Sequence, residues 1–300
     1  MMKSLDEFKI IDVAKKNSTH SPGKAVLGIG DDCAIIDHSK DRYTLATIDM
    51  LIEGVHFNLK EAGAYRVGRK ALAVSLSDIA AMAGTPKYAL LSLGIPAYID
   101  MEDISDFYKG FTDLASQFSV QLIGGDTNNS EKLICDTCVI GESAIRKTMR
   151  RSGAKIGDAI FVTGELGGSI KGKQYDFTPR VEEARKLVDL FDIHSMIDIS
   201  DGLSSDLQHV TASSKTGAEI YEASLPVSKE AVSKEAALSD GEDFELLFTA
   251  SEDISDRELN ESCAVQVTRI GKIREYSKGV TIVRASGMRE VLRKTGYRHF

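Results

Sequence analysis

Ala25-Val26-Leu27-Gly28-Ile29-Gly30-Asp31-Asp32 sets a pattern that this chain repeats: a short apolar run, then one or two carboxylates. Tyr43-Thr44-Leu45-Ala46-Thr47-Ile48 leads into Asp49, Ala71 to Ser77 leads into Asp78, and Val120 to Gly125 leads into Asp126. Ile197-Asp198-Ile199-Ser200-Asp201-Gly202 places two more acids beside a glycine. Runs of this kind read as buried strands or helix segments, so the pattern predicts carboxylates at the ends of core elements. Aspartate is a common turn residue, and for any single position that is the simpler account. As a set, like charges gathered at the mouth of a core repel unless a cation joins them. Hardly any Lys or Arg adjoins them in sequence. The expected partner is an oxygen-ligated divalent ion, magnesium carrying nucleotide phosphates, with the neighbouring glycines letting backbone N–H groups approach an anion.

Three hundred residues suffice for one large domain or two ordinary ones. The 37 basic residues against 45 acidic leave a formal charge of −8, which argues against a general nucleic-acid binder; bound metal can still invert the local field for an anionic nucleotide. The longest apolar candidate, Tyr88 to Ile99, is interrupted by Gly94 and Pro96 and falls short of the ~20 residues of a membrane span. Met1 to Phe8 is too acidic and too weakly apolar for a signal peptide. A cytoplasmic protein without membrane partners is expected, and four cysteines fit a reducing compartment. Cys135 and Cys138 form a lone C-x-x-C inside a strand-like run. Residues three apart on a strand face opposite sides, so a shared zinc is not expected there.

To about residue 145, strand-like and helical runs alternate. Ala62 to Met82 carries a helical pattern that stops near Gly84-Thr85-Pro86, and Met101 to Phe118 reads as an amphipathic helix. Arg146 to Gly153 reads as the connection between halves. The second half opens with a strand at Ala159–Thr163, places a helix from Thr178-Pro179 through Phe191 with proline in the first turn, another helix from Asp206 to Lys215, and a strand at Glu245–Thr249. The expectation is a mixed α/β (α+β) chain in two domains, 1–145 and 146–300.

Gly167-Gly168-Ser169-Ile170-Lys171-Gly172-Lys173 fits the first part of a phosphate-binding loop. Gln174 follows, without the hydroxyl that such loops offer to magnesium, and no helix opens directly. A glycine- and lysine-rich connection is the better reading, and the nucleotide site is expected at the acidic clusters.

Taken together, the clusters resemble thiamine-monophosphate kinase, of the superfamily that includes aminoimidazole-ribonucleotide synthetase and selenophosphate synthetase. The motifs, in order along nearly the whole chain, are Gly28 to Ala34, Asp49 to Phe57, Lys70 to Met82, Gly124-Gly125-Asp126-Thr127, Arg151 to Lys155, Ile197 to Leu203 and Gly241 to Glu245. Gly54-Val55-His56-Phe57 points to the kinase within that superfamily. The resemblance implies ATP-dependent phosphorylation of thiamine monophosphate to thiamine diphosphate. It implies a two-domain fold like that of aminoimidazole-ribonucleotide synthetase, with amino-terminal domains binding ATP and magnesium and pairing into a homodimer, and carboxy-terminal domains completing the site. Asp32, Thr47, Asp49, Asp78, Asp126, Asp198 and Asp201 would hold several magnesium ions. Gly125, Asp126, Arg151, Ser200 and Tyr108 would contact ATP, His56, Glu242 and Tyr297 would face the thiamine substrate, and Asp126, Asp201 and Arg151 would serve the transfer itself. Three positions depart from the family pattern: Ile48 stands for a polar residue, Ser75 for an asparagine and Asp240 for a glycine.

The residues make chemical sense of that role. The acceptor would be a phosphate ester, anionic without a general base, so catalysis would rest on positioning and charge neutralisation. Arg151 would add a planar fork to a phosphate, and Glu242 would meet a cationic thiazolium ring. With no tryptophan, ring stacking falls to Tyr, Phe or His. Read without the motifs, His56 is a structural histidine, Tyr108 a core residue of its helix, Tyr297 a tail residue, Arg151 a partner of a surface acid and Asp31 a turn residue supporting Asp32. Two other functions remain open: a related ATP-using phosphotransferase or synthetase acting on another small phosphorylated acceptor, and a nucleotide-binding homologue without turnover.

Overall fold

The structure, a computed structural model, describes residues 7–18 and 25–297; most of Met1 to Phe8 lies outside them. Helix α1 (Glu7–Asn17) precedes a sheet of β1 (Ala25–Leu27), β2 (Ala34–Asp37), β3 (Arg42–Ile52), β4 (Thr85–Ile95), β5 (Gln121–Asn129) and β6 (Ile134–Ala144), in spatial order β1-β2-β3-β6-β4-β5. Helices α2 (Leu59–Ala62) and α3 (Ala64–Ala81) join β3 to β4, and α4 (Met101–Gln117) joins β4 to β5. Among the described strands of this sheet only β4 and β5 pair in parallel, the arrangement a helical crossover allows.

The second sheet holds β7 (Ala159–Thr163), β8 (Ile193–Asp198), β9 (Gly217–Tyr221), β10 (Leu246–Ala250), β11 (Val267–Arg274), β12 (Val280–Val283) and β13 (Arg289–Val291), ordered β13-β12-β9-β11-β7-β10-β8. Its helices are α5 (Lys173–Asp176), α6 (Val181–Leu190), α7 (Leu203–Ser214), α8 (Lys234–Ser239) and α9 (Asp256–Ser262). Strand β7 is apolar from Ala159 to Val162 because it is buried on both faces: Ile160 and Val162 enter one core, Ala159 and Phe161 another. Two mixed sheets with helices against them are the α+β form of the expected architecture.

Several boundaries move for local reasons. Gly63, at φ 77°, splits the expected Ala62–Met82 helix into α2 and α3, a backbone turn for which glycine carries no Cβ penalty. Helix α6 starts at Val181 with Arg180 at its N-cap, so Pro179 precedes the helix instead of opening it. Helix α7 begins at Leu203, ahead of Asp206. Helix α4 matches its expected span, with Asp100 accepting hydrogen bonds from the N–H groups of Glu102 and Asp103 in a capping box.

Helix α3 organises the molecule. It packs on β3 and β6 on one side and on β8, α5 and α6 on the other, so it is buried nearly all round, as a helix between two layers must be. Its crossing with α4 is close: a Cβ on Gly68 would collide with the Phe107 carbonyl, and one on Gly110 with that of Tyr65. Through α3 the first core continues into the second half, taking in Tyr175, Phe177 and Phe244.

Candidate active site

Three of the acids from separate motifs meet at α3. Asp32 lies in the β1–β2 loop, Asp78 in the last turns of α3 and Asp198 at the end of β8, and their carboxylate oxygens lie within 4.8 Å of one another. Asp49 joins this group electrostatically. It sits in mid-strand rather than at a strand end, because β3 continues to Ile52. Hydroxyl groups hold the carboxylates in place: Thr47 donates to Asp78, Ser75 to Asp49 at 2.7 Å and Ser77 to Asp198 at 2.6 Å. Ser75 thus keeps a polar contact at its position. Ile48 does not affect the group, since its side chain is 64 % exposed on the opposite face of β3.

Burial raises all four carboxyl pKa values. It pushes Asp198 up to about 7, with Asp32 adding repulsion, and Asp49 to about 6. Asp78 rises well above its ordinary value by burial and by Asp49, Asp198 and Asp32. Asp32 is raised by burial while Arg151 opposes the rise. Arg151 comes from about 120 residues away and donates from Nε and Nη2 to Asp32 Oδ1 at 3.1 and 2.6 Å. Without a nucleotide, one oxygen of the Asp32 carboxylate takes both of these donors. Asp31 accepts the backbone N–H groups of Asp32 and Arg151, the supporting role of a turn residue.

The group fits a magnesium ion. Asp32 Oδ2 is buried without a hydrogen-bond partner, the available donors are oxygens, and the single charge of Arg151 cannot balance four carboxylates.

Two expected ligands stand elsewhere. Asp126 lies within β5 and is exposed. In register it shares a row with Ser92, Asp136 and Met50, whereas Asp49 shares one with Thr137, Leu91 and Gly125. Cross-strand partners share a face and successive residues alternate, so Asp126 is on the outer face of the sheet, away from α3. A Cβ at Gly125 would strike the Leu91 carbonyl, so strand packing by itself requires that glycine. Asp201 belongs to a second group with Asp206 and His209, two residues the sequence reading passed over. Their i, i+3 spacing on α7 was the available signal. Asp206 accepts the N–H groups of Asp201 and Gly202 at 3.2 and 3.1 Å. Burial, then Lys294, pushes His209 down to about 4, leaving its imidazole neutral.

The expected acceptor residues converge by backbone pairing. Glu242 N–H donates to Ser200 O at 2.7 Å, Phe244 N–H to Ile199 O at 2.8 Å, and Tyr297 N–H to Asp201 O at 3.1 Å. His56 is tied to the same place by Lys70, whose Nζ donates to His56 O at 2.7 Å and to Glu242 Oε2 at 2.7 Å. His56 Nδ1 accepts the Ile52 N–H at 3.0 Å. Tyr108 is half-buried against the first core, edge-on to Phe107 at 6.0 Å. Neighbours in sequence, Glu242 and Asp243 do not crowd their charges together. Asp243 turns inward to accept from Gly167 N–H and Ser169, and Glu242 has a lysine.

The loop that mimicked a phosphate cradle is occupied by the protein itself. Asp243 takes the Gly167 N–H at 2.8 Å and Asp240 the Gly168 N–H at 2.9 Å. Asp240 is therefore a hydrogen-bond partner of that loop. Along β6, Cys135 is buried and Cys138 half-buried in strict alternation, as expected of thiols on opposite faces.

Residues 30–143 match the AIR synthase related protein N-terminal domain, and residues 139–284 match the corresponding C-terminal domain. The thiamine-monophosphate kinase of Bacillus subtilis (strain 168) is 35% identical over 99% of this chain and 100% of its own length. That of Rhodopirellula baltica is 38% identical over 86% of each. Among solved structures, AaThiL complexed with AMPPCP and TMP superposes with a TM-score of 0.83 at 29% identity, covering 100% of this chain and 99% of that one. Thiamine monophosphate kinase from Aquifex aeolicus gives 0.78 at 28%, covering 96% and 100%. Full-length identity above 30%, the same two-part architecture and an acidic group assembled from the shared motifs lead to one conclusion: this chain belongs to the thiamine-monophosphate kinase family.

Proposed function

We propose that the protein transfers the γ-phosphoryl group of ATP, by direct in-line attack, to the phosphate of thiamine monophosphate, giving thiamine diphosphate. The observation that carries this reading is the meeting of Asp32, Asp78 and Asp198, with Asp49 beside them, where α3 joins the two halves. Kinship with proteins that carry this activity supports the substrates. Asp32, Asp49, Asp78 and Asp198 would hold Mg²⁺, with Asp126 and Asp201 as further ligands. Bound there, the metal would neutralise phosphate charge and polarise phosphoryl oxygens.

The chain's own residues would do the rest. Asp32 aims Arg151 at the edge of the acidic group, where its fixed charge favours an anion. Ser200 and Gly125 would meet the nucleotide, with Tyr108 beside the adenine. Glu242, His56 and Tyr297 would seat the acceptor, whose phosphate needs no base because it is already ionised. Residues 1–145 would form the nucleotide, metal and pairing domain, and residues 146–300 would complete the site.

A homodimer is part of this reading. Ile48, Met50, Tyr88 and Leu90 leave an exposed apolar patch on the outer face of the first sheet, the kind of surface that protein contacts cover. Asp126 shares that face, so pairing would bring it to the junction of two copies. We also assign the protein to the cytoplasm, in keeping with four cysteines that are all free; no helix among the described residues is long and apolar enough to cross a membrane. The direct test incubates purified protein with ATP, Mg²⁺ and thiamine monophosphate and follows product mass. Thiamine diphosphate is expected. ATP consumption that depends on a different phosphorylated acceptor, or binding without turnover, would replace this reading.

A further inference from the structure

A lysine on α3 has no part in the function as described so far. Lys70 is completely buried in the apolar run Ala71-Leu72-Ala73-Val74, where an unpaired ammonium would be costly. All three of its donors are used: His56 O at 2.7 Å, Gln174 Oε1 at 2.6 Å and Glu242 Oε2 at 2.7 Å. The ring of Tyr175 lies beside it, 5.3 Å from Nζ to centroid. A saturated ammonium has no N–H left for a substrate phosphate, so its action is geometric. Its three partners come from the turn after β3, from α5 and from the Gly241–Glu245 loop, and it binds both halves at one point. Glu242 is held in a backbone conformation that disfavours side chains, at φ 63°. Its Oε2 is taken by Lys70, while its side chain remains 27 % exposed, leaving Oε1 uncommitted among the described residues.

We propose that Lys70 is a positioning residue for acceptor recognition. It locks the Glu242 carboxylate and the His56 turn at a set separation, so that Glu242 Oε1 offers a fixed negative charge to the cationic ring of the acceptor. This rests on the reading that Glu242 and His56 face the acceptor. A mobile carboxylate would lose part of its binding free energy in being ordered; one already held by a buried ammonium does not.

The test is steady-state kinetics on the full chain, varying thiamine monophosphate and ATP separately, for wild type, Lys70→Met, Glu242→Gln and the double variant, with melting curves to verify folding. Lys70→Met should raise KM for thiamine monophosphate about tenfold and leave KM for ATP within about twofold, as loss of one binding contact requires. Because Lys70 acts through Glu242, adding Lys70→Met to Glu242→Gln should raise KM no further. Equal loss for both substrates, or an undiminished effect in the Glu242→Gln background, would overturn the proposal. Should Lys70→Met fail to fold, Gln174→Met removes one anchor and keeps the charge. It should raise the same KM a few-fold in the wild-type background only, and no change there also overturns the idea. If the wild type turns over but Glu242→Gln leaves KM for thiamine monophosphate untouched, the assignment of Glu242 to the acceptor fails, and this proposal with it. Without wild-type turnover, it is the function itself that has failed.

Discussion

Asp198→Asn should stabilise the metal-free protein while removing its response to Mg²⁺. Asp198 is 3 % exposed, and its carboxylate oxygens lie within 4.8 Å of those of Asp32 and Asp78. At an effective dielectric constant of ~20, one like-charged pair at that distance costs about 3 kcal/mol. The carboxyl pKa points to the same scale: a rise from 3.8 to about 7, at ~1.4 kcal/mol per unit, is roughly 4 kcal/mol. Since the folded-state value is raised, the group's contribution to stability is fully present below pH 3.8 and is lost as pH rises through about 7. Asparagine keeps an acceptor for Ser77 but gives up the attraction of Arg151, so a net gain of about 2 kcal/mol at pH 8 is expected, or roughly 3 °C in Tm for a chain of this length. The gain should vanish at acid pH. With no tryptophan in the chain, differential scanning calorimetry is the natural assay, in EDTA and in Mg²⁺. Wild type should gain about 3 kcal/mol at a hundredfold excess of Mg²⁺ over its Kd, the variant much less. A variant that melts below wild type in EDTA, or that gains as much from Mg²⁺, would refute the idea that these carboxylates are gathered to hold a cation.

Asp126→Asn on exposed β5 should shift stability by no more than about 0.5 kcal/mol yet abolish turnover; unchanged activity would remove Asp126 from the ligand set. Glu245→Gln should cost about 3 kcal/mol in urea unfolding, because this buried carboxylate accepts from Arg180, Lys173 and Thr163 and its loss leaves Arg180 uncompensated. Ile48→Lys should shift the protein from dimer to monomer in light scattering, since it places a charge in the exposed patch, and a dimer that survives would locate the contact elsewhere.

Some of this was legible along the chain because local periodicity carries it. The α4 span followed from its apolar spacing. The Cys135/Cys138 alternation followed from strand geometry, and the failure of the Gly167 loop as a phosphate cradle from the missing hydroxyl at Gln174; the expectation that no helix opens there is corrected, since the one-turn α5 starts at Lys173 directly after Gly172. Boundaries were missed where one residue's backbone decided them, as at Gly63, or where a strand ran through its acid, as at Asp49. The site was legible as a set of residue types, with the order of motifs naming the chemistry.

Which of those residues meet was another matter. Sequence by itself determined that isolated carboxylates would end or interrupt apolar segments, and so that negative charge would be buried. The tertiary structure alone decided that Asp32, Asp78 and Asp198 share a space, that Arg151 answers Asp32, that Asp126 faces the other way, and that Lys70 binds Glu242 across 172 residues. The reason is that periodicity fixes only the face a side chain takes on its own element. Its partner is set by sheet register and by the packing of α3 between two layers, and no local pattern records either.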